Sequence, residues 1–225
     1  MPYLHLTACK RMEKDLIIKD KNIIYIGGNQ NWFLPLGYKD ISKYGCGIVA
    51  VCNFLLCFFR SEYRSGYEIS KDTFISFVLS IYKKYLCILN NVFIKGLTGF
   101  ALANGINRYF SDNHIKMKAR WGHSLNIIHK VKKSLQNGRP VILGVGPSFL
   151  IKNMGVDALD IDSGNTIKLC SHYVLIYDCK DEDGDTFFYI SSWGRRYKIS
   201  YRDFNRYQRS TLFGFLLSNI LEIQL

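Results

Sequence analysis

Two residues of this chain carry nucleophilic chemistry in their type and setting: Cys46, in Tyr44-Gly45-Cys46-Gly47, and His172, in Ser171-His172-Tyr173-Val174-Leu175-Ile176. After Gly47 the chain is apolar almost without break to Phe59, the pattern of a loop that becomes a buried helix. Cys46 then stands at a helix start, where unpaired N–H groups and the positive end of the helix dipole favour thiolate over thiol. The flanking glycines would let another backbone approach the sulfur. His172 follows a long segment, 147–169, read as irregular, and opens an apolar strand. Its imidazole is therefore expected at the mouth of a sheet, where it could act as a base toward a thiol brought from elsewhere in the chain. The competing structural reading makes Cys46 a small buried hydrophobe like Cys52 and Cys57, and His172 a strand cap.

The elements that must position this pair follow from periodicity and turn chemistry. The stretch 21–26 reads as a strand ended by Gly27-Gly28, followed by a polar and aromatic loop from Asn29 toward Cys46. Ser70 is a candidate N-cap for a helix over 71–89, with Phe74, Phe77, Val78, Ile81, Tyr85 and Ile88 on one face. A helix over 97–110 is expected to bury Phe100, Leu102, Ile106 and Tyr109. An alternating edge strand is expected at 116–121, and a helix capped by Ser124 is expected to run to Leu135 and stop at Asn137-Gly138. Strands are expected at 141–145, 170–178, 186–191 and 196–200, with one or two more from 212–217 and 220–225. Asp183-Gly184 is a hairpin signal. A tight hairpin there pairs residues whose numbers sum to about 367, which sets His172 near Arg195 and brings Ser191 to Gly194 close to it. Helices first and an antiparallel sheet second make an α+β protein, read as one domain over 1–225 with a helical part at about 40–137 and a sheet part at about 138–225.

Composition narrows the function classes. The chain has 225 residues, 48% hydrophobic and 21% charged, which suits a packed globular core rather than disorder. Seven cysteines without a Cys-x-x-Cys pair support neither a disulfide framework nor a zinc ribbon, and no metal or cofactor is expected. The acidic run from Asp181 to Asp185 lacks calcium-loop spacing and reads as a solvated turn. His5, His114, His123 and His129 read as surface residues. The apolar run from Gly47 is interrupted by Asn53 and is too short for a membrane span. The N-terminus lacks the pattern of a secretory signal, so a cytoplasmic location is expected unless a leader has been removed. The net charge of +12 is scattered, and its densest part, 194–209, interleaves Tyr197, Tyr201 and Tyr207 with arginines. This segment reads as a solvated edge or, as an alternative, an RNA-contacting surface.

Taken together and in order, Tyr44-Gly45-Cys46-Gly47-Ile48-Val49-Ala50, Arg139-Pro140-Val141-Ile142-Leu143-Gly144-Val145, Ser171-His172-Tyr173-Val174-Leu175-Ile176 and Ile190-Ser191-Ser192-Trp193-Gly194 resemble the papain-like cysteine peptidase superfamily. Within it the chain looks most similar to bacterial peptidases that process bacteriocin leaders and to their relatives in low-GC Gram-positive bacteria. The resemblance, which runs from about Gly27 to Phe204, implies a papain-like fold, Cys46 as nucleophile, His172 as general base and the Cys46 N–H as an oxyanion donor. The Asn or Asp with which this superfamily orients its histidine is matched by Ser191 and Ser192, with Asp178 as a substitute if the strands slip. Its oxyanion Gln position falls on Asp40, whose charge would repel an oxyanion. Gln30 could fill the hole if 32–43 is an insertion, and Trp193 would flank the substrate.

Three functions are expected in this order: a cysteine peptidase, amidase or acyltransferase; a papain-like module that binds a peptide without turnover; and a basic nucleic-acid-binding protein. The first two imply a peptide or protein partner and no nucleic acid or membrane.

Overall fold

The computed structural model describes residues 12–63, 68–90, 95–147, 154–211 and 213–224. A first hairpin, β1 (Ile17–Asp20) with β2 (Ile23–Ile26), is joined in parallel by the short β3 (Ile69–Ser70). A 3-10 turn, Gln30–Phe33, capped by Asn29, leads to a short helix, Lys39–Tyr44. Gly45 then separates that helix from Cys46–Tyr63, and its carbonyl accepts the Val49 N–H at 3.0 Å as the first bond of the new helix. Every residue from Gly47 to Cys57 is buried, so this part of the helix, apolar except for Asn53, is enclosed all round.

Two helices cover its outer side. Lys71–Lys84 begins at Ser70, whose hydroxyl accepts the Thr73 N–H as expected, and buries Phe74, Ile75, Val78 and Ile81. It ends five residues before the expected boundary, and β4 (Leu89–Asn90) and β5 (Lys95–Gly96) follow as a small ladder. The next helix, Gly99–Asp112, is capped by Thr98 and buries Leu102, Ile106 and Tyr109. Phe100 departs from the expectation and is 55% exposed, because it lies on the first turn, on the face turned away from the core. The helix Ile128–Gln136 starts later than Ser124, which accepts the Asn126 N–H in a local turn and caps nothing.

The inner side of the Cys46 helix lies on an eight-stranded sheet. Its members are β6 (Lys118–Trp121), β7 (Val141–Val145), β8 (Val156–Asp160), β9 (Thr166–Leu169), β10 (His172–Glu182), β11 (Asp185–Ser192), β12 (Arg195–Ser200) and β13 (Ile220–Gln224), in the spatial order β6-β13-β7-β10-β11-β12-β8-β9. All neighbours are antiparallel. The chain is thus α+β, with β6 drawn into the sheet from the helical part. The expected irregular stretch 147–169 contains the β8–β9 hairpin, while its residues 148–153 lie outside the described set. The expected strand at 212–217 is replaced by the helix Gly214–Leu217, and a further helix, Tyr201–Ser210, packs after β12.

The Asp183-Gly184 turn forms with positive φ at both residues, as a two-residue hairpin requires. Glu182↔Asp185 to Asp178↔Tyr189 keep the expected register. A bulge at Tyr177 then slips the ladder by one, to Ile176↔Ile190 and Leu175↔Ser191. By continuation that slip sets Gly194, not Arg195, opposite His172, and it puts Ser192 rather than Ser191 on the strand face that His172 shares.

Candidate functional site

His172 opens β10 opposite Val145, the last residue of β7, so it stands at the edge where two paired strands finish together. Its Nε2 lies 2.7 Å from the Ser192 hydroxyl. Its ring stacks on Trp193, with centroids 4.1 Å apart and planes 12° apart. Trp193 and Gly194 form the two-residue turn between β11 and β12, both at positive φ. A tryptophan in that conformation costs on the order of 1–2 kcal/mol, which the stack on His172 helps to offset.

A narrow cavity of about 10 Å³ is lined by Gln30, Cys46, Asn53, His172, Ser191, Ser192 and Trp193, together with Val49, Ala50 and Tyr173. Cys46 and His172, both serines, Gln30 and Trp193 therefore line one place. The space is about one water molecule in size. His172 and Tyr173 also wall an open groove of about 380 Å³ on their other side, with Phe100, Trp121, Pro147 and Leu217. No Asp, Glu, Lys or Arg lines that groove among the described residues. Trp121 is held there by its indole N–H, which donates to the Leu216 carbonyl at 2.6 Å.

Electrostatics differ from the sequence expectation. Burial pushes the Cys46 thiol above its ordinary value, and the backbone N–H groups of Tyr173, Gly47 and Cys46 itself oppose this without overcoming it. Cys46 keeps some exposed surface, yet its surroundings are dense enough for desolvation to win over the helix start. Burial likewise lowers His172 to about 4. At neutral pH the pair rests as thiol and imidazole, not as thiolate and imidazolium.

The two serines part company because adjacent strand residues point to opposite faces. Ser192 meets His172, whereas the Ser191 hydroxyl donates to the Ile26 carbonyl at 2.7 Å and serves the N-terminal hairpin. Gln30 lines the cavity while its Nε2 donates to the Ser42 carbonyl at 2.8 Å, which leaves a second N–H on the same nitrogen. Asp40 is exposed on the first turn of its short helix and does not line the cavity. Asp178 is also away from the cavity, accepting the Cys179 N–H at 2.7 Å and pairing with Lys180. Neither carboxylate substitutes for a neutral partner of the histidine.

Asn53 is the residue sequence reasoning passed over. It is 1% exposed and two helical turns from Cys46, on the same face. Its Oδ1 accepts the Gly28 N–H at 2.9 Å and its Nδ2 points at the Ser191 hydroxyl at 3.5 Å. A Cβ on Gly27 would collide with that hydroxyl, and Gly27 is at positive φ, so only glycine allows the hairpin to lie this close. The hairpin is also bonded to the Trp193 turn, Ile26 N–H to Gly194 carbonyl and Gly194 N–H to Gly28 carbonyl, both at 3.0 Å. The available signal was a lone amide in an apolar helix, seven residues after the candidate nucleophile.

The basic segment 194–209 is occupied internally. Arg195 pairs with Asp160, Arg196 with Glu13 and Asp162, Lys198 with Glu182 and Arg206 with Asp203, while Arg202 and Arg209 donate to Gly184 and Asn205. No described helix is long and apolar enough to cross a membrane. His114, His123 and His129 are exposed, and His5 lies outside the described residues. No family model, curated protein or solved structure matches the chain.

Proposed function

We propose that this protein is a thiol-dependent amide or acyl hydrolase, or acyltransferase, of papain-like organisation. The observation that carries the reading is the convergence of Cys46, His172 and Ser192 on one narrow cavity, with His172 held through Nε2 and stacked on Trp193. Because Ser192 occupies Nε2, Nδ1 is the nitrogen left for the thiol. In the reaction the Cys46 proton passes to Nδ1 as sulfur attacks the acyl carbon. The N–H of Cys46 and the second N–H of Gln30 receive the oxyanion, and the imidazolium returns its proton to the leaving amine as the C–N bond breaks. A thioester remains, which water or an amine then opens. The apolar groove beside His172 supplies room for an uncharged part of the substrate.

A resting neutral pair makes proton transfer part of the attack rather than a prior event. The test is labelling by a peptidyl acyloxymethyl ketone, mapped by mass spectrometry against Cys87 and Cys170, the exposed cysteines among the described residues. Labelling is expected at Cys46 alone, absent in Cys46→Ala and slower by roughly 10²–10⁴-fold in His172→Ala. Iodoacetamide, which needs a preformed thiolate, is expected to modify Cys46 more slowly than Cys87 at pH 8.

The one-water cavity and the neutral pair also favour a second reading, a papain-like module that binds a peptide in the groove without turnover. Peptidyl-probe labelling of Cys46 no faster than that of Cys87 would select it over the enzyme.

A further inference from the structure

At the end of β7 remote from His172, a second open cavity of about 410 Å³ lies between the end of the Ile128–Gln136 helix, the start of β7 and β13. It exists because a ladder stops. β13 pairs with β7 at Ile220↔Leu143 and Leu221↔Ile142, so continuation would set Ile223 opposite Pro140, which has no N–H to give. β13 goes on pairing with β6 through Gln224, and β13 and β7 part into a wedge. Asn219 presents its carbonyl to Gly144 on the β7 side, whereas the Ile220 carbonyl takes the Gly122 N–H on the other. By that alternation the main-chain groups of Ile223 face the wedge.

The lining joins an apolar floor drawn from both faces of the sheet, Val141 and Ile220 from one and Leu221 and Ile223 from the other, to three cations, Lys130, Lys133 and Arg139. The cavity's one carboxylate, Glu222, is held by Lys130 at 2.5 Å. Lys133 and Arg139 have no carboxylate partner among the described residues. They differ in this from Arg195, Arg196 and Arg206, each of which pairs with a carboxylate within the fold. Two uncommitted cations, an apolar floor and an unmatched strand residue form one surface with a single complementary chemistry.

We propose that the wedge is a docking site for an acidic peptide segment that alternates carboxylate and apolar side chains. Its carboxylates meet Lys133 and Arg139, on the opposite face of the sheet an apolar side chain lies on Leu221 and Ile223, and one of its amides pairs with the Ile223 main chain. The site takes no part in the Cys46 chemistry and stands whether or not that reading does.

The experiment is fluorescence anisotropy of the full chain with a labelled hexapeptide alternating glutamate and valine. The comparisons are its glutamine-for-glutamate counterpart and a labelled hexauridylate. Lys133→Glu and Arg139→Glu are each expected to weaken the acidic peptide about five- to tenfold, with unchanged thermal melting, and Arg206→Glu to leave it within about twofold. The glutamine peptide is expected to bind at least tenfold more weakly than the acidic one. Equal losses in all three variants would reduce the effect to net charge and overturn the site. So would no loss in the two wedge variants, or hexauridylate binding more tightly than the peptide through the same two residues.

Discussion

The two ends of β7 face opposite environments. At Val145 the strand finishes level with His172, beneath the buried Cys46 helix, and the groups gathered there are desolvated and neutral. At Val141 the ladder is broken by Pro140, the strands part, and the groups gathered there are cationic and face solvent. The Val145 end carries a cavity one water molecule in size beside an open groove without charged side chains, whereas the Val141 end opens onto cations. The proposed proton transfer, which needs a proton held in place, uses the first, and the proposed docking, which needs accessible charge, uses the second. The contrast comes from whether neighbouring strands stay paired, not from the composition of β7, which is apolar throughout.

The sharpest way to break this contrast is to titrate the narrow end. His172 is lowered from 6.5 to about 4 by burial, so below pH 6.5 the unfolded chain takes up a proton that the folded imidazole refuses. Stability is therefore present above pH 6.5, is lost as the pH falls toward 4, and levels off below it. The loss attributable to this group is about 3 kcal/mol. It is read as the difference in urea unfolding between wild type and His172→Gln across that window. A variant with the same slope as wild type would mean that His172 is not buried in its neutral form.

Asn53→Ala is the next largest. It leaves the buried Gly28 N–H without an acceptor and should cost about 2 kcal/mol in urea unfolding. It should also slow Cys46 labelling, because the Gly27-Gly28 bend and the Trp193 turn are bonded together. Smaller still is the comparison of neighbours. Ser192→Ala should slow Cys46 labelling by about tenfold while costing about 1 kcal/mol. Ser191→Ala should cost a similar amount of stability with the rate of labelling nearly unchanged. If the two serines behave alike toward the probe, the assignment of Ser192 as the orienting residue fails.

Much of the narrow end was legible from local pattern. Gly45-Cys46-Gly47 before an apolar run marked a helix start, Ser70 marked a cap, Asp183-Gly184 marked a hairpin, and Val141 to Val145 marked a central strand. Each of these signals is short-ranged, and each element began where it was expected. The failures were of two kinds. Helix and strand ends moved where a tertiary contact outweighed a cap signal, as at Ser124, whose carbonyl accepts from Gln208 and Asn219. The 212–217 stretch, apolar enough for a strand, instead contains a helical turn whose Leu216 and Leu217 wall the groove beside His172.

By itself the sequence singled out Cys46, His172, Ser191, Ser192, Gln30 and Trp193 as candidates, by type and by the elements beside them, and all six line one cavity. Only the tertiary structure decided which serine serves the histidine, since the bulge at Tyr177 shifts the β10–β11 register by one and a single residue separates one strand face from the other. It also decided the charge state of the pair. A helix start argues for thiolate and a sheet edge argues for a solvated imidazole, but desolvation depends on everything packed around a group. In this fold that packing, drawn from the N-terminal hairpin, the Cys46 helix and the Trp193 turn, outweighs both local signals.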